Sequence, residues 1–317
     1  MSSSITTTAN LPPAVREYYD RMLLMTAFPY LIHTKYAQRR NLPEKSGNTV
    51  VFRRYTKLDT VPMPLTDGIT PPGAPLSVTD IKAEVQFYGN FVTITNQVQL
   101  TVEDRVLQEA SELLAQNMGQ TLDQVTRDVL LSCPSTYQCT EGGNDQTPTN
   151  LSDADFQAIV QVLLSNDARM VNKGYTATGQ FSTTAIRPSF WCYMDTGLID
   201  DLEDLSTFTS TSNYPGSQLA GIQDAEWGSV NNIKIFVSSV GAVSSATVPV
   251  YTLPIGGQEA YGIVNLGSPG GKMYVKPLGS AGSADPLDQR ASVGWSLPFA
   301  ARILNDNFML NALCTHS

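Results

Sequence analysis

The stretch TVEDRVLQEASELLAQNMGQTLDQVTRDVLLSCP, Thr101 to Pro134, decides how the rest of the chain is read. Apolar side chains recur at Val102, Val106, Ala110, Leu113, Leu114, Met118, Leu122, Val125 and Val129, one stripe at helical spacing. Thr101 followed by Asp104 makes a capping-box-like start, and Cys133-Pro134 ends the pattern. Asp123 and Arg127 stand four apart and are expected to pair. A helix over 101–132 would be a rod of about 45 Å. With one apolar stripe and no heptad partner, it is expected to lie across one face of a sheet.

Upstream, Thr49-Val-Val-Phe52 opens a strand. Ile81, Ala83, Val85 and Phe87 alternate onto one face of a second strand. Gly89-Asn90 then reverses the parity, as a bulge or bend does. Between the strands, residues 61–75 hold five prolines, which exclude a helix or a central strand. A loop of this length is usually functional, and this one should project. Pro12 and Pro13 open an expected helix to about Phe28, so residues 1–48 read as an arm.

Downstream, Ser152 caps an amphipathic helix to Leu164. Phe190–Met194, Asn232–Val237 and Val248–Thr252 read as strands, and Gly197–Leu205 as a short acidic helix. Ala291–Leu304, the turn 305–307 and Phe308–Leu310 read as a closing hairpin. Residues 151–274 look like a separate α/β unit. The three tryptophans, Trp191, Trp227 and Trp295, fit core or interface positions better than a stacking platform.

Composition narrows the function. The chain has 317 residues with 42% hydrophobic and 15% charged, where about 25% charged is typical. The net charge is −9, so a general attraction to nucleic acid is not expected. No apolar run approaches the roughly 20 residues of a membrane helix, and the start carries no secretory pattern. The two histidines, His33 and His316, leave no material for a His-rich metal site or a Ser-His-Asp triad. Cys133, Cys139, Cys192 and Cys314 read as reduced structural thiols, although Cys133 and Cys139 are close enough to bond.

Gly267-Ser-Pro-Gly-Gly-Lys272 lacks the spacing of a phosphate loop and reads as a hairpin turn. No catalytic, metal-binding or cofactor-binding residue is identified, and no cofactor is expected. Two charged features do stand out. Lys35, Arg39, Arg40, Lys45, Arg53, Arg54 and Lys57 put seven of twenty basic residues into one strip. Asp195, Asp200, Asp201, Glu203 and Asp204 form an acidic patch of complementary sign. Contacts between copies are expected at Lys35, Arg39, Arg40, Arg53, Arg54, Lys57, Asp200, Asp201, Glu203 and Asp204. A solvated basic strip and a solvated acidic face are the plain alternatives.

The order of arm, projecting hairpin, long helix, inserted α/β unit and closing strands resembles the major capsid proteins of tailed bacteriophages. More narrowly it is similar to the family typified by the coat protein of coliphage N-four. The residues that carry this are Thr49–Tyr55, Pro64–Pro71, Tyr88–Thr95, Leu122–Leu130 and, most specifically, Val275–Trp295. The likeness is weakest over 134–185 and 206–246.

The resemblance implies an α+β fold, the tailed-phage major capsid fold. It implies an N-arm at 1–48, an E-loop with flanking strands at 49–98, and a P-domain with its spine helix at 99–150. An A-domain at 151–274 and closing P-domain strands at 275–317 complete the plan. The implied function is that of a major capsid protein, not an enzyme. It would self-assemble through hexamers and pentamers, in the host cytoplasm, into the icosahedral head of the virion.

The expected partners are the chain itself and the portal protein, with cement or decoration proteins and scaffolding proteins as further candidates. The head would enclose double-stranded DNA without sequence-specific binding and without a membrane. Because the arm begins at once, a separate scaffold or none is expected. The rival reading is another virion structural protein such as a tail-tube subunit.

Overall fold

The computed structural model describes residues 31–43, 47–58, 67, 73, 75–96, 106–140, 148–171, 188–214, 224–244, 248–266, 271–280 and 285–316. The helix expected at 12–28, the Thr101 cap and most of the proline-rich span 61–75 lie outside them.

The long helix is α1, Val106–Leu131. Its buried stripe is Ala110, Leu114, Ala115, Met118, Leu122 and Leu130. The sequence stripe is therefore shifted: Leu113 is exposed, while Ser111, Asp123 and Thr126 are buried. The expected Asp123–Arg127 pair does not form. Asp123 points inward to His33, and Arg127 pairs with Asp128 at 2.7 Å and donates to the carbonyl of Val240 at 2.8 Å. Tertiary packing overrides an i,i+4 contact because that contact is worth only about 0.2–0.5 kcal/mol.

α1 lies across a sheet of five strands: β1 (Gln38–Leu42), β4 (Gln86–Thr95), β12 (Tyr261–Leu266), β13 (Lys272–Lys276) and β14 (Arg290–Ile303). β14 is fourteen residues long and organises the layer. Its residues 292–296 pair with both β4 and β13, and its last five pair with β12. Val293, Trp295, Leu297 and Phe299 alternate toward α1. Asn117 of α1 accepts from Trp295 Nε1 at 3.2 Å and from Asn90 Nδ2 at 3.1 Å, which sets the helix over both strands. β12 and β13 do not pair with each other as a hairpin; both use β14 instead, and residues 267–270 lie outside the described ones.

β2 (Thr49–Tyr55) and β3 (Val78–Glu84) form a two-stranded antiparallel ladder of their own. The chain leaves it at Val85 and enters the main sheet as β4. The β4–β14 register then runs unbroken through Gly89 and Asn90, so the parity change comes at Val85 and not at 89–90. Gly89 is needed for another reason: a Cβ there would sit 2.7 Å from the carbonyl oxygen of Trp295.

The second sheet has eight strands. Seven follow the order β5 (Thr136–Gln138), β15 (Met309–Thr315), β11 (Val250–Gly256), β6 (Phe190–Asp195), β9 (Ile233–Ser238), β8 (Glu226–Val230) and β7 (Phe208–Ser210). β10 (Ala242–Val243) pairs with β11. Helix α2 (Asp153–Ser165) begins at its Ser152 cap, whose hydroxyl accepts from the amide of Asp155. Phe156, Ile159 and Leu163 of α2 pack into the core of this sheet with Phe190, Cys192, Ile235, Ile255 and Ala312. The acidic segment folds as a 3-10 turn, Thr196–Leu198, followed by the one-turn helix α3, Ile199–Glu203.

The closing hairpin expected at 291–310 is not one. β14 belongs to the first sheet and β15 to the second, where it pairs with all seven residues of β11. A 3-10 turn at Asp306–Phe308 carries the chain between the layers. Asn311 of β15 donates through Nδ2 to the carbonyls of Leu130 and Leu131, two of the groups left open at the end of α1. The C-terminal strand thereby joins the two cores.

Candidate inter-subunit surfaces

The β2–β3 hairpin alternates strictly. Phe52 and Ala83 are buried, with Val50 and Ile81 half-buried beside them, against Leu42, Val264, Ala300 and Leu304 of the main sheet. The ring of Phe52 occupies the space over Gly262, where a Cβ would come within 2.9 Å of it. The Arg40 guanidinium lies over the same ring at 4.8 Å. The opposite side of the hairpin and its edges leave Val51, Tyr55, Leu58, Leu76 and Val78 in solvent. The Arg53–Asp80 pair sets Val51 apart, while Tyr55, Leu58, Leu76 and Val78 gather at the loop end, and exposed apolar surface of that kind marks an interaction site.

The basic strip is divided among different tasks. Lys35 is half-buried, donates to the carbonyl of Asp224 and stands 5.6 Å from the centre of the Phe236 ring. Burial pulls its ammonium below the ordinary lysine value, against the pull of Asp224. Arg40 donates to the carbonyl of Val51 at 3.3 Å. Arg53 pairs with Asp80 across the ladder at 3.1 Å. Arg54 reaches Asn305 Oδ1 at 2.7 Å, and Lys57 meets Asp167 Oδ2 at 2.5 Å. Asp167 follows α2 with a left-handed backbone, φ 56°, where glycine is the usual residue. These contacts tie the hairpin to its own chain. Arg39 is exposed with no partner among the described residues.

The acidic patch is split as well. Asp201 is buried and accepts from His316 Nδ1 at 2.8 Å, which fastens the C-terminal end of β15. Asp195 caps the 3-10 turn by accepting from Gly197 N–H at 2.8 Å. Asp200, Glu203 and Asp204 face solvent, and Glu203 accepts from Trp227 Nε1 at 3.1 Å. Trp227 is exposed, while Trp191 and Trp295 are in the core.

A buried polar node holds the arm. Asp123 accepts from the backbone N–H of His33 and bonds the His33 ring at Nδ1, both at 2.7 Å. His33 and Asp123 are 2% and 0% exposed. Tyr261 donates to the His33 carbonyl at 2.5 Å and shares a hydrogen bond with Tyr193 at 3.0 Å. β1, which follows, pairs in parallel with β12. Periodicity on α1 did not flag this node, since His33 and Asp123 are ninety residues apart.

Among the described residues, no group of three or more His, Cys, Asp and Glu is placed to hold a metal ion. Among the described residues no helix is long and apolar enough to cross a membrane. All four cysteines are free and buried. Burial pushes the thiols of Cys139, Cys192 and Cys314 well above the usual value, which leaves them protonated and inert. The unfolded chain ionises its thiols above a pH of about 8.5, while the folded chain does not. Stability is therefore expected to fall as pH rises past that point, by about 1.4 kcal/mol per thiol per unit. Urea unfolding at pH 8.5 to 9.5 checks this: a variant with all three changed to alanine should show a flatter slope. Equal slopes would remove the assignment.

Sequence reading also missed the solvent face of the first sheet. Phe87 and Phe91 lie there although they alternate with the half-buried Tyr88. Gly89 between them was the available signal, because a glycine in a strand often marks a close backbone approach.

The comparisons match this architecture. The capsid of Ralstonia phage GP4 superposes with a TM-score of 0.66 at 11% identity, over 90% of this chain and 88% of that one. The head structure of Helicobacter pylori bacteriophage KHP40 gives 0.62 at 10%, over 90% and 89%. The cyanophage Pam1 capsid asymmetric unit gives 0.61 at 14%, over 99% of both chains. A search of the curated proteins finds no match. A family model described as phage capsid protein matches residues 78–305, more than two thirds of the chain. The chain belongs to the phage capsid protein family and is a virion major capsid protein with the tailed-phage capsid fold.

Proposed function

We propose that the chain assembles with copies of itself, through hexamers and pentamers, into a closed icosahedral head around double-stranded DNA. The observation that carries this is the β2–β3 hairpin: its loop end leaves Tyr55, Leu58, Leu76 and Val78 in solvent on a chain of the capsid family. Such a surface is stabilised when a neighbouring copy covers it. In this reading residues 1–48 are the N-arm, 49–98 the E-loop with flanking strands, 99–150 and 275–317 the P-domain, and 151–274 the A-domain. Strands are exchanged between the last two: β12 and the start of β13, from 151–274, lie in the sheet under α1, while β5 and β15 complete the second sheet. The subunit is structural and has no catalytic role. Portal, scaffolding and cement or decoration proteins are its expected partners. It has no sequence-specific contact with the genome. Arg39, Asp200, Glu203 and Asp204, whose charges face solvent, are offered to neighbouring copies. Lys35, Arg40, Arg53, Arg54, Lys57 and Asp201 act indirectly, by holding the hairpin and the C-terminal strand in place.

Expression of the full chain alone and with the other head proteins, followed by electron microscopy, tests this reading. Closed shells are the expected result. Stacked rings or tubes would favour a tail-tube role, and monomers that never assemble in either setting would end the capsid reading.

A further inference from the structure

Of the face of the first sheet turned away from α1, the β2–β3 hairpin covers the β12 side, over Gly262, Val264 and Ala300. Among the described residues nothing covers the β13–β14–β4 side. Directly paired residues share a face, so Tyr274, Gly294 and Phe91 form one cross-strand row on it, and Phe87 stands opposite Pro298. Phe87, Phe91 and Tyr274 are 71%, 68% and 47% exposed. The positions between them are glycine, serine and threonine, so the face is flat. Lys272 and Lys276 flank Tyr274 on this same face and are exposed, with no carboxylate partner among the described residues. Arg290 closes the face at one end, 3.7 Å from Asp285. Between Phe87 and Thr95 on β4 and between Ser292 and Pro298 on β14 every position of the face is uncharged, in a chain of net charge −9.

Charge narrows what can sit there. The E-loop hairpin of another copy offers no net charge to match, since Arg53, Arg54, Lys57 and Lys82 are balanced over residues 49–84 by Asp59, Asp67, Asp80 and Glu84. The turn at α3 has the opposite character. Asp200, Glu203 and Asp204 face solvent within five residues, with the exposed indole of Trp227 bonded to Glu203. None of the three pairs with a cation among the described residues. Within one chain no bond among the described residues joins this turn to the sheet face.

We propose that the β13–β14–β4 face is the docking site for the α3 turn of a second copy. The carboxylates of Asp200 and Asp204 meet Lys272 and Lys276, and Trp227 lies against Phe91 and Tyr274. This rests on the coat reading and gives it a specific contact. The two patches differ, so the contact is head-to-tail and can propagate around a ring. Interfaces are enriched in aromatic residues, and matched charges at their rim set the register. The acidic patch thus finds its partner on the sheet and not in the basic strip, most of which is engaged within its own chain.

A charge swap tests the pairing in the full chain, expressed with the other head proteins and scored by electron microscopy and sedimentation. Lys272→Glu with Lys276→Glu is expected to abolish shells and leave folded subunits with an unchanged melting temperature. Asp200→Lys with Asp204→Lys should do the same. All four changes together should restore shells. Lys272→Gln with Lys276→Gln adds no charge and should cut the yield by about tenfold, which decides the matter if the glutamates unfold the chain.

Shells at the wild-type yield from either double variant would overturn the contact, as would a fourfold variant that stays unassembled. Retention of double-stranded DNA by wild-type subunits, lost in Lys272→Glu with Lys276→Glu, would overturn it in favour of a polyanion site. A wild-type chain that forms no shells would fail earlier, at the coat reading itself.

Discussion

Replacing Asp123 by alanine is expected to lower the stability of the folded chain by about 2–5 kcal/mol, the cost of leaving two buried groups without their hydrogen-bond partner. The carboxylate is fully buried and accepts both the backbone N–H and the ring of His33. Without it, two groups of His33 lose their partner in a place where water does not replace it. The loss reaches beyond one side chain. His33 opens the segment that leads into β1, and its carbonyl accepts from Tyr261, which is bonded to Tyr193 of the second sheet. Urea unfolding of the purified subunit measures the effect. His33→Ala should cost a similar amount, and the double variant much less than the sum, because both changes break one contact. A loss below about 1 kcal/mol for Asp123→Ala would show that the node is not structural.

The second large effect is local. Phe52→Ala empties the site between Gly262, Leu42 and Val264, a change that costs about 3–5 kcal/mol at a buried phenylalanine. The hairpin is a separate two-stranded ladder, and such a ladder is marginal without a surface to pack on. The cost therefore falls on the opening of 49–55 and 78–84 and not on the whole fold. Hydrogen exchange is the measurement: amides of β2 and β3 should lose protection by about a hundredfold or more, while those of α1 keep theirs. Assembly should fail as well, since a loose hairpin no longer presents Tyr55 and Val78 in a fixed place. Wild-type protection in the ladder of the variant would mean that the surface contacts of Arg54 and Lys57 hold the hairpin by themselves. That outcome is not expected of exposed pairs worth at most about 1 kcal/mol each.

The low charge content also fits the reading. A subunit that gives surface to neighbours benefits from uncharged area, because charges are depleted at interface cores. The structure adds where the remaining charge goes. Lys35, Arg53, Arg54 and Lys57 make contacts within the chain, while Asp200, Glu203, Asp204, Lys272 and Lys276 are left facing outward.

The spine helix, the hairpin strands, the Ser152 cap and the strands at 190 and 233 were all legible in the sequence. Each depends on contacts a few residues apart, and local spacing records those. The burial of Asp201 escaped it, since that residue was expected among the contacts between copies. The partners of Asp123, the departure of the chain at Val85, the split of β14 and β15 between two sheets and the uncovered phenylalanines were not legible. Each depends on a residue brought close from tens to hundreds of positions away. A strand of fourteen residues with neighbours on both edges takes whichever partners bury the most surface, and no short window of sequence contains that comparison. The long helix and its stripe thus came from the sequence, and which side of it faces the core was decided only by the sheet and by His33.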